Sequence, residues 1–467
     1  MPTIGTGRFF PVGVACLAVL AGVVAPASAQ EDDEKPVVPR DRASHALAGE
    51  RVDFFEEPAV DGAQLGACSS REPVCVAVAA GSNVPEGRRL QALVAAEEAY
   101  GTLVHTLGLP PPLAPLGTRR FTVLLKNEET ASALPIARDA TSRFDRVTSV
   151  GLADASVGGC VLTANVTAAV AGGISWRVAP AQDAGSRDGL ITSLVSLTVP
   201  CAAPLAAGAI ARAQSHPNDA VIAADRSEFA APLPPAQAGV GTGSTLFFDW
   251  LDGTLAARPG GALVGVWAAA ATRTPIDARR WVNEPDAFDV LATSAKGAFG
   301  TNSDLGELFL HFGTDRLFFA TAAKRFPWAG GYRAATPLAA DRRIPWPDAP
   351  RRFLHPRPVA HTGMTAVAID LTGRPAGKRL RAEITWEDFA HFRFQWVTVG
   401  ADGLPLAAYP IVGEARGTGA NGTLVNLDGA TQALLIGTSD GDPRYPFDPD
   451  DEVWEAHGYD LVIAGVE

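Results

Sequence analysis

The chain has no surplus of basic residues. Its 39 lysines and arginines are outnumbered by 51 aspartates and glutamates, which gives a formal net charge of −12 over 467 residues. A surface with this balance repels phosphate backbones, so nucleic acid is excluded as the expected partner. The acidic balance is typical of a soluble protein and by itself names no other partner.

Two common signatures of hydrolytic enzymes are also absent. The sequence contains no Gly-x-Ser-x-Gly, and none of its eight histidines has a second histidine four residues away, as a His-Glu-x-x-His zinc helix requires. The nearest text to a nucleophile elbow is GVGTGST at 239–245. There we expect Ser244 to cap the helix that follows. An anion-binding or nucleophilic Ser244 is the alternative.

The long apolar run that suggests a membrane-targeting segment lies at the N-terminus. Arg8 precedes FFPVGVACLAVLAGVVA at 9–25, and Ala27 and Ala29 supply small residues for signal peptidase. The pattern predicts a signal peptide over residues 1–29, a periplasmic or secreted mature protein, and no stable membrane insertion after cleavage. An uncleaved anchor is the alternative, but this run is at the short limit for a bilayer.

Cysteine is scarce, and its count suits an oxidising compartment. Outside the predicted signal peptide there are four cysteines, Cys68, Cys75, Cys160 and Cys201, which predicts two disulfides with three pairings open. CSSREPVC brackets a short turn, so Cys68–Cys75 is the natural local bridge, which leaves Cys160–Cys201. A four-cysteine zinc site is the rival, and the cysteine spacings do not fit it.

Hydrophobic patterning divides the chain into a mixed part and an all-β part. Residues 30–50 are charged and contain proline, which predicts a flexible acidic leader. Residues 51–344 begin with strands and continue with helices, an α+β fold class. The expected strands are 74–79, 121–126, 147–152 and 160–166, and the expected helices are 86–107, 188–199, 201–214, 244–257, 261–271, 286–296 and 303–322.

A Pro- and Arg-rich connector at 327–358 leads into the all-β part, with the boundary near residue 345. Residues 345–467 form a predicted β-sandwich. Its clearest strand is HFRFQWV, where Phe392, Phe394 and Trp396 share one face. Trp386 and Trp396 suit sugar stacking if they are exposed, but core packing is the default for alternating strands. The expected strands are 364–371, 380–386, 392–399, 406–412, 423–427, 432–437 and 459–464.

One group of residues has a spacing suited to acid–base chemistry. On the predicted helix DLGELFLHFGTDRLFFA, Glu307, His311 and Asp315 follow one another at intervals of four and share a face. Carboxylates on either side are expected to raise the pKa of His311. An ordinary polar helix face opposite an apolar stripe is the alternative, and it is the more common case.

Acidic residues cluster in SDGDPRYPFDPDDEVW at 439–454. Asp440, Asp442, Asp448, Asp450 and Asp451 offer hard oxygen ligands of the kind that calcium prefers. The spacing does not match an EF-hand loop, and a solvated acidic loop stiffened by prolines is the alternative. No cofactor is expected, with calcium as the one candidate.

The layout resembles that of exported zinc metallopeptidases of the gluzincin type. The resemblance rests on EGRRLQALVAAEEAYGTLVHTLGLPPPL leading into FTVLL, on GSTLFFDWLDGTL and GGALVGVWAAAATRTP, and on the β-sandwich that follows. It covers residues 86–322. Where that family carries His-Glu-x-x-His, this chain has DGLITSLVSLTVPCAAPLAAGAIARAQ at 188–214, without histidine or glutamate, so zinc binding and water activation have no basis.

The resemblance therefore implies a relative that kept the scaffold and lost the metal. We expect an exported, non-catalytic binding or structural protein whose partner is an extracytoplasmic protein or a glycan. A secreted hydrolase with a site assembled from distant segments is one alternative, and a calcium-dependent adhesion module is another.

Overall fold

A computed structural model describes fifteen stretches of the chain. They are residues 53–54, 62–64, 66–112, 120–127, 131–136, 148–178, 184–221, 243–269, 287–300, 303–319, 338–354, 357–411, 418–424, 426–441 and 456–467. The predicted signal peptide at 1–29 and the predicted leader at 30–50 lie outside them. The described residues contain helices and several sheets, so the chain is α+β.

The N-terminal part is built on a six-stranded sheet with the order β1-β2-β3-β4-β6-β5. Strands β3, β4 and β6 are parallel, and β5 pairs antiparallel with β6 at the edge. All five residues of β3, VCVAV, are buried, as expected of a parallel strand covered on both faces. The strands are β1 (Asp53–Phe54), β2 (Ala67–Cys68), β3 (Val74–Val78), β4 (Phe121–Lys126), β5 (Ala131–Ile136) and β6 (Thr148–Asp154).

Eight α-helices follow or cover this sheet in the described residues. They are α1 (Glu86–Tyr100), which continues as a π-helical turn (Gly101–Thr106), α2 (Gly159–Val178), α3 (Ala184–Thr198), α4 (Ala207–Ser215), α5 (Thr245–Leu255), α6 (Gly261–Ala269), α7 (Ala287–Phe299) and α8 (Leu305–Arg316). A 3-10 helix (Pro200–Ala206) leads into α4.

Helix α2 lies directly against the sheet, and two glycines make the approach possible. A Cβ at Gly173 would lie 2.5 Å from the ring of Phe121, and one at Gly172 would lie 2.8 Å from the Cβ of Ala133. Contacts that short do not occur between real side chains. By length and composition α2 could cross a membrane, but most of its residues are buried inside the protein. It is packed as a core helix.

Two expectations for this region are wrong in detail. Residues 160–166, expected as a strand, form the first turns of α2. In that segment Leu162, Ala164 and Val166 alternate with the polar Thr163 and Asn165, a period of two that mimics a half-buried strand. The helix expected at 201–214 divides into the 3-10 helix and α4, because Pro204 lies within the 3-10 stretch and a proline cannot donate a helical hydrogen bond.

Both expected disulfides are confirmed. Cys68 is bonded to Cys75 across the β2–β3 pair, with a Cα–Cα distance of 4.0 Å. Cys160 in α2 is bonded to Cys201 in the 3-10 helix, 41 residues away, with a Cα–Cα distance of 6.1 Å. The second bridge fastens the helical segment that leads into α4 to the core helix.

Two larger sheets and the antiparallel two-stranded sheet β9–β16 form the C-terminal part, and their strands pair antiparallel except that β7 runs parallel to β10. The first has the order β13-β12-β15-β10-β7, and the second has the order β14-β11-β17-β8. Trp386 and Trp396 are both buried in the core between them, as core packing requires. The strands are β7 (Arg342–Ile344), β8 (Arg351–Leu354), β9 (Val359–Ala360), β10 (Met364–Asp370), β11 (Arg379–Trp386), β12 (His391–Gly400), β13 (Pro405–Ile411), β14 (Gly419–Leu424), β15 (Ala430–Gly441), β16 (Ala456–His457) and β17 (Tyr459–Val466).

The central strands β12, β15 and β10 of the first of these sheets are buried on both faces. Phe392, Phe394 and Trp396 of β12 point into the sandwich core, whereas Val397 and Val399 belong to the core that contains the helices. Helix α8 covers this second face: the amide of Gln395 donates to Thr314, and a Cβ at Gly313 would lie 3.3 Å from Met364 Sδ. The two parts of the chain therefore share a packed joint, and α8 lies in it.

Candidate functional site

Helix α8 carries the three residues singled out for acid–base chemistry. His311 Nε2 lies 3.7 Å from Glu307 Oε1. Asp315 is engaged elsewhere, because its Oδ2 accepts a hydrogen bond of 3.0 Å from Trp250 Nε1 in α5. The His311 ring stacks on Phe299, with centroids 4.3 Å apart.

The expected direction of the His311 pKa is wrong. Burial lowers the pKa of His311, and this outweighs the carboxylates of Glu307 and Asp315, which raise it. A lowered pKa favours the neutral imidazole, which packs against the Phe299 ring without the cost of burying a charge. The arrangement holds the joint between α5, α7 and α8, and it brings no nucleophile to His311 among the residues described above.

The calcium candidates are only partly described. Asp440, in β15, accepts hydrogen bonds through Oδ2 from His391 Nδ1 at 2.8 Å and from Arg393 Nε. Its charge is thus offset by a neighbouring cation, unlike a carboxylate that waits for a metal. Asp442, Asp448, Asp450 and Asp451 lie outside the described residues. Within the described residues, no group of three or more metal-ligating side chains converges. A calcium site in this loop stays a prediction.

Ser244 does not cap α5. Its backbone is helical, and its hydroxyl donates to the carbonyl oxygen of Gly185 in α3 at 2.8 Å, buried from solvent. The hydroxyl therefore ties α5 to α3. Ser244 stands at the N-cap position, but the expected capping hydrogen bond is absent, because a serine reaches the first-turn N–H groups from an extended backbone and that of Ser244 is helical.

The structure contains a small cavity that the sequence does not reveal, at the C-terminal end of α8. Its volume is about 40 Å³. The polar side chains around it are Arg212, His216, Asp219 and Arg316, and its apolar wall comes from Ala213, Ala220, Val221, Gly243, Leu246, Phe247 and Phe312. We call it the Arg316 cavity.

Arg316 is the buried charge of this cavity. The residue is only 5% exposed, at the last position of α8. Its Nε donates to Gln214 Oε1, and its Nη2 donates to the carbonyl oxygen of Ala213, both in α4. Among the described residues these are its hydrogen bonds to protein, so Nη1 of the guanidinium has no protein acceptor there.

The positive charge of Arg316 is incompletely offset. Burial lowers the pKa of Arg316 to about 10, although the carboxylate of Asp219 raises it. Taking a guanidinium out of water is costly unless an anion accompanies it. The electrostatics of the cavity therefore favour an added negative charge.

The walls of the cavity are fixed by helix ends and close packing. Helix α4 ends at Ser215, whose hydroxyl donates to the carbonyl oxygen of Arg212 at 2.7 Å. His216 Nδ1 lies 3.2 Å from the same oxygen. On the opposite side, the rings of Phe247 and Phe312 meet edge to face, 5.1 Å apart. The cavity is built on secondary structure, which gives it a defined shape.

The sequence did not point to Arg316, although Arg316 directly follows Asp315, which is a candidate site residue by its spacing. One feature of the sequence indicates that Arg316 is buried: it lies between aromatic residues in HFGTDRLFFA, where a solvent-exposed helix face is not expected. Gln214 and Arg316 are 102 residues apart, so no local spacing connects them.

No protein-family model and no curated protein sequence matches this chain. Among solved structures, it is similar to the pre-peptidase C-terminal domain of a collagenase from Bacillus anthracis, in a crystal structure at 1.0 Å. That match has 9% sequence identity and a TM-score of 0.17, and it covers 27% of this chain and 97% of the other. At those values it assigns neither a fold nor a function to this protein.

Proposed function

We propose that this chain is an exported, non-catalytic binding protein whose Arg316 cavity takes the carboxylate of a ligand. The observation that carries the proposal is Arg316, a residue only 5% exposed, whose Nε and Nη2 are hydrogen-bonded and whose Nη1 has no protein acceptor in the described residues. An arginine with two of its donors already fixed is held in one orientation, which reduces the entropy lost on binding.

The size of the cavity limits what enters it. A space of about 40 Å³ admits a head group of a few heavy atoms and excludes a whole sugar or side chain. A carboxylate fits this limit, and its two oxygens match the donors of a guanidinium. The rest of the ligand would remain outside, at the level of the exposed His216 and Asp219.

The charge balance selects among anions. Asp219 contributes a negative charge beside Arg316, and a dianionic phosphate would meet more repulsion there than a carboxylate. An acidic side chain or C-terminus of a protein and a uronic acid of a glycan both present a carboxylate. This chemistry is therefore shared by the two classes of partner expected for an exported binding protein.

The lining supports binding rather than turnover. Among the described residues, the side chains that line the cavity carry no hydroxyl or thiol that could attack a substrate. They supply a buried positive charge and an apolar wall, which is the composition of a recognition pocket.

Isothermal titration calorimetry of the mature protein tests the proposal. We expect acetate to bind, acetamide (its neutral counterpart) to show no heat of binding, and inorganic phosphate to bind more weakly than acetate. Comparison of glucuronate with an acetyl-capped dipeptide then distinguishes a glycan from a protein source. Equal binding of acetate and acetamide, or no binding of any carboxylate, would contradict the proposal.

Two variants place the binding at this cavity. Arg316→Lys keeps the charge but loses the planar fork, so we expect acetate affinity to fall by about tenfold or more. Arg212→Gln leaves the buried network of Arg316 intact, and we expect a smaller loss with a weaker salt dependence. A thermal unfolding curve for each variant separates lost affinity from lost folding.

A further inference from the structure

One wall of the Arg316 cavity is held by the β-sandwich. The segment 217–221 carries Asp219, Ala220 and Val221 of the lining. The backbone N–H of Met364 donates to the carbonyl oxygen of Pro217, and that of Ala360 to the carbonyl oxygen of Asn218, both at 2.8 Å. The turn 361–363, between β9 and β10, thus lies against this wall.

The contact is close enough to restrict the residue types in the turn. A Cβ at Gly363 would lie 2.3 Å from the carbonyl oxygen of Asn218, so only glycine fits there. The buried side chain of Asn218 donates in turn to the carbonyl oxygen of Met364 at 3.2 Å. Backbone and side-chain bonds therefore fix the wall to the sandwich at several points.

Thr362 stands out in this turn because of its backbone. Its φ of 64° lies in the left-handed region, and it is the one non-glycine residue with a positive φ in the part of the chain that the structure describes. A β-branched residue is disfavoured in that region, because its Cβ substituents crowd the backbone. Such a conformation persists only where the surroundings enforce it.

The side chain of Thr362 forms a hydrogen bond to the wall of the cavity. Thr362 is 3% exposed, and its Oγ1 accepts a hydrogen bond of 3.0 Å from the backbone N–H of Val221. Val221 is a lining residue of the cavity. Glycine would relieve the strain in this position but would leave that N–H without its acceptor.

We infer that Thr362 is a positioning residue for the Arg316 cavity: its hydroxyl fixes Val221, and with it the wall that carries Asp219, against the guanidinium. The inference rests on the proposed function. The C-terminal sheets thereby complete a site whose charges all come from the helical part of the chain.

Thr362→Gly and Thr362→Ser are the variants that test this role. Glycine removes both the strain and the hydroxyl, so we expect the melting temperature to stay near that of the wild type while acetate affinity falls about fivefold, the size of one net hydrogen bond. Serine keeps the hydroxyl, and we expect it to retain the affinity. A purely structural role predicts that affinity follows melting temperature in both variants.

Hydrogen exchange of the Val221 amide gives a readout that needs no ligand. We expect exchange at Val221 to be faster in Thr362→Gly than in the wild type, and unchanged in Thr362→Ser. If Val221 exchanges at the same rate in all three proteins, or if Thr362→Gly binds acetate as tightly as the wild type, the inference is overturned. If the wild type binds no acetate but Val221 exchange rises in the glycine variant, the proposed function fails and the positioning role of Thr362 stands.

Discussion

Arg393 in β12 and Asp304 at the start of α8 form an ion pair, with Arg393 Nη2 2.5 Å from Asp304 Oδ2. Asp304 is also the N-cap of α8, because its Oδ1 accepts from the backbone N–H of Glu307 at 3.1 Å. The carboxylate of Asp304 thus caps the start of α8 and also links α8 to the sandwich through Arg393. At the other end of the same helix, Arg316 enters the cavity.

This double use of Asp304 predicts a difference between two substitutions. Asp304→Asn keeps a capping oxygen and loses the charge, whereas Asp304→Ala loses both. Asp304 is 46% exposed, so the ion pair contributes little, while a lost cap typically costs about 1 kcal/mol. We expect the alanine variant to be about 1 kcal/mol less stable than the asparagine variant in urea denaturation. Equal stabilities would show that the cap contributes nothing.

The stability of the protein should fall at mildly acidic pH because of His361. Burial lowers its pKa to about 4, with His457 lowering it further and Asp440 opposing this, whereas the ordinary value is 6.5. Below about pH 6.5 the unfolded chain therefore binds a proton that the folded chain excludes until about pH 4. Stability is thus lost as the pH falls through this window, by on the order of 3 kcal/mol.

Urea denaturation at several pH values between 7 and 4 measures this loss. In His361→Gln the slope of stability against pH should be shallower than in the wild type. His216→Gln, at an exposed position, is the matched control for the substitution itself. A wild-type slope in His361→Gln would exclude His361 as the cause.

The two disulfides should contribute unequally. Cys160–Cys201 closes a loop of 41 residues and Cys68–Cys75 one of 7. In the chain-entropy model the longer loop stabilises by roughly 4 kcal/mol and the shorter by roughly 2.5 kcal/mol. We expect the double alanine variant at Cys160 and Cys201 to lose more stability, measured by urea denaturation under oxidising conditions. The opposite order would mean that native packing around Cys68 and Cys75 outweighs loop closure.

His311→Ala tests the alternative of a secreted hydrolase. On the packing role assigned to His311, the variant loses its stacking on Phe299 and should melt at a lower temperature. Wild type and variant should both fail to turn over peptide, ester or glycan substrates. Turnover that His311→Ala abolishes, with an unchanged melting temperature, would instead establish the hydrolase.

The sequence predicted elements well where one face of a segment is polar. The alternation of HFRFQWV placed Phe392, Phe394 and Trp396 in the sandwich core, and Trp386 and Trp396 are both buried as expected. It failed for residues 160–166, where Thr163 and Asn165 alternate with apolar residues as in a strand although the segment is helical. It also missed the partners of the polar face of β12, where Arg393 pairs with Asp304, the N-cap of α8, and Gln395 donates to Thr314 within α8.

The segment 327–358, predicted as a connector between the two parts, contains strands that its sequence did not predict. Its described part contains β7 and β8, each paired within one of the two C-terminal sheets. Trp346 is buried in the sandwich core, close to Gly465. The proline and arginine content of this segment is typical of a connector, so β7 and β8 were not predicted. The strands that they pair with lie more than twenty residues further along the chain.

Composition and periodicity by themselves determined the α+β class and most of the strands and helices, because these depend on residues a few positions away. The cysteine count predicted two disulfides with three pairings open, and the structure decided the pairing. Only the tertiary structure decided that Asp315 bonds Trp250, that Asp440 bonds Arg393, and that Arg316 meets Gln214 in a cavity. These contacts join segments 47 to 102 residues apart. Their geometry depends on how the helices and sheets pack against one another, and the local sequence pattern does not predict that packing.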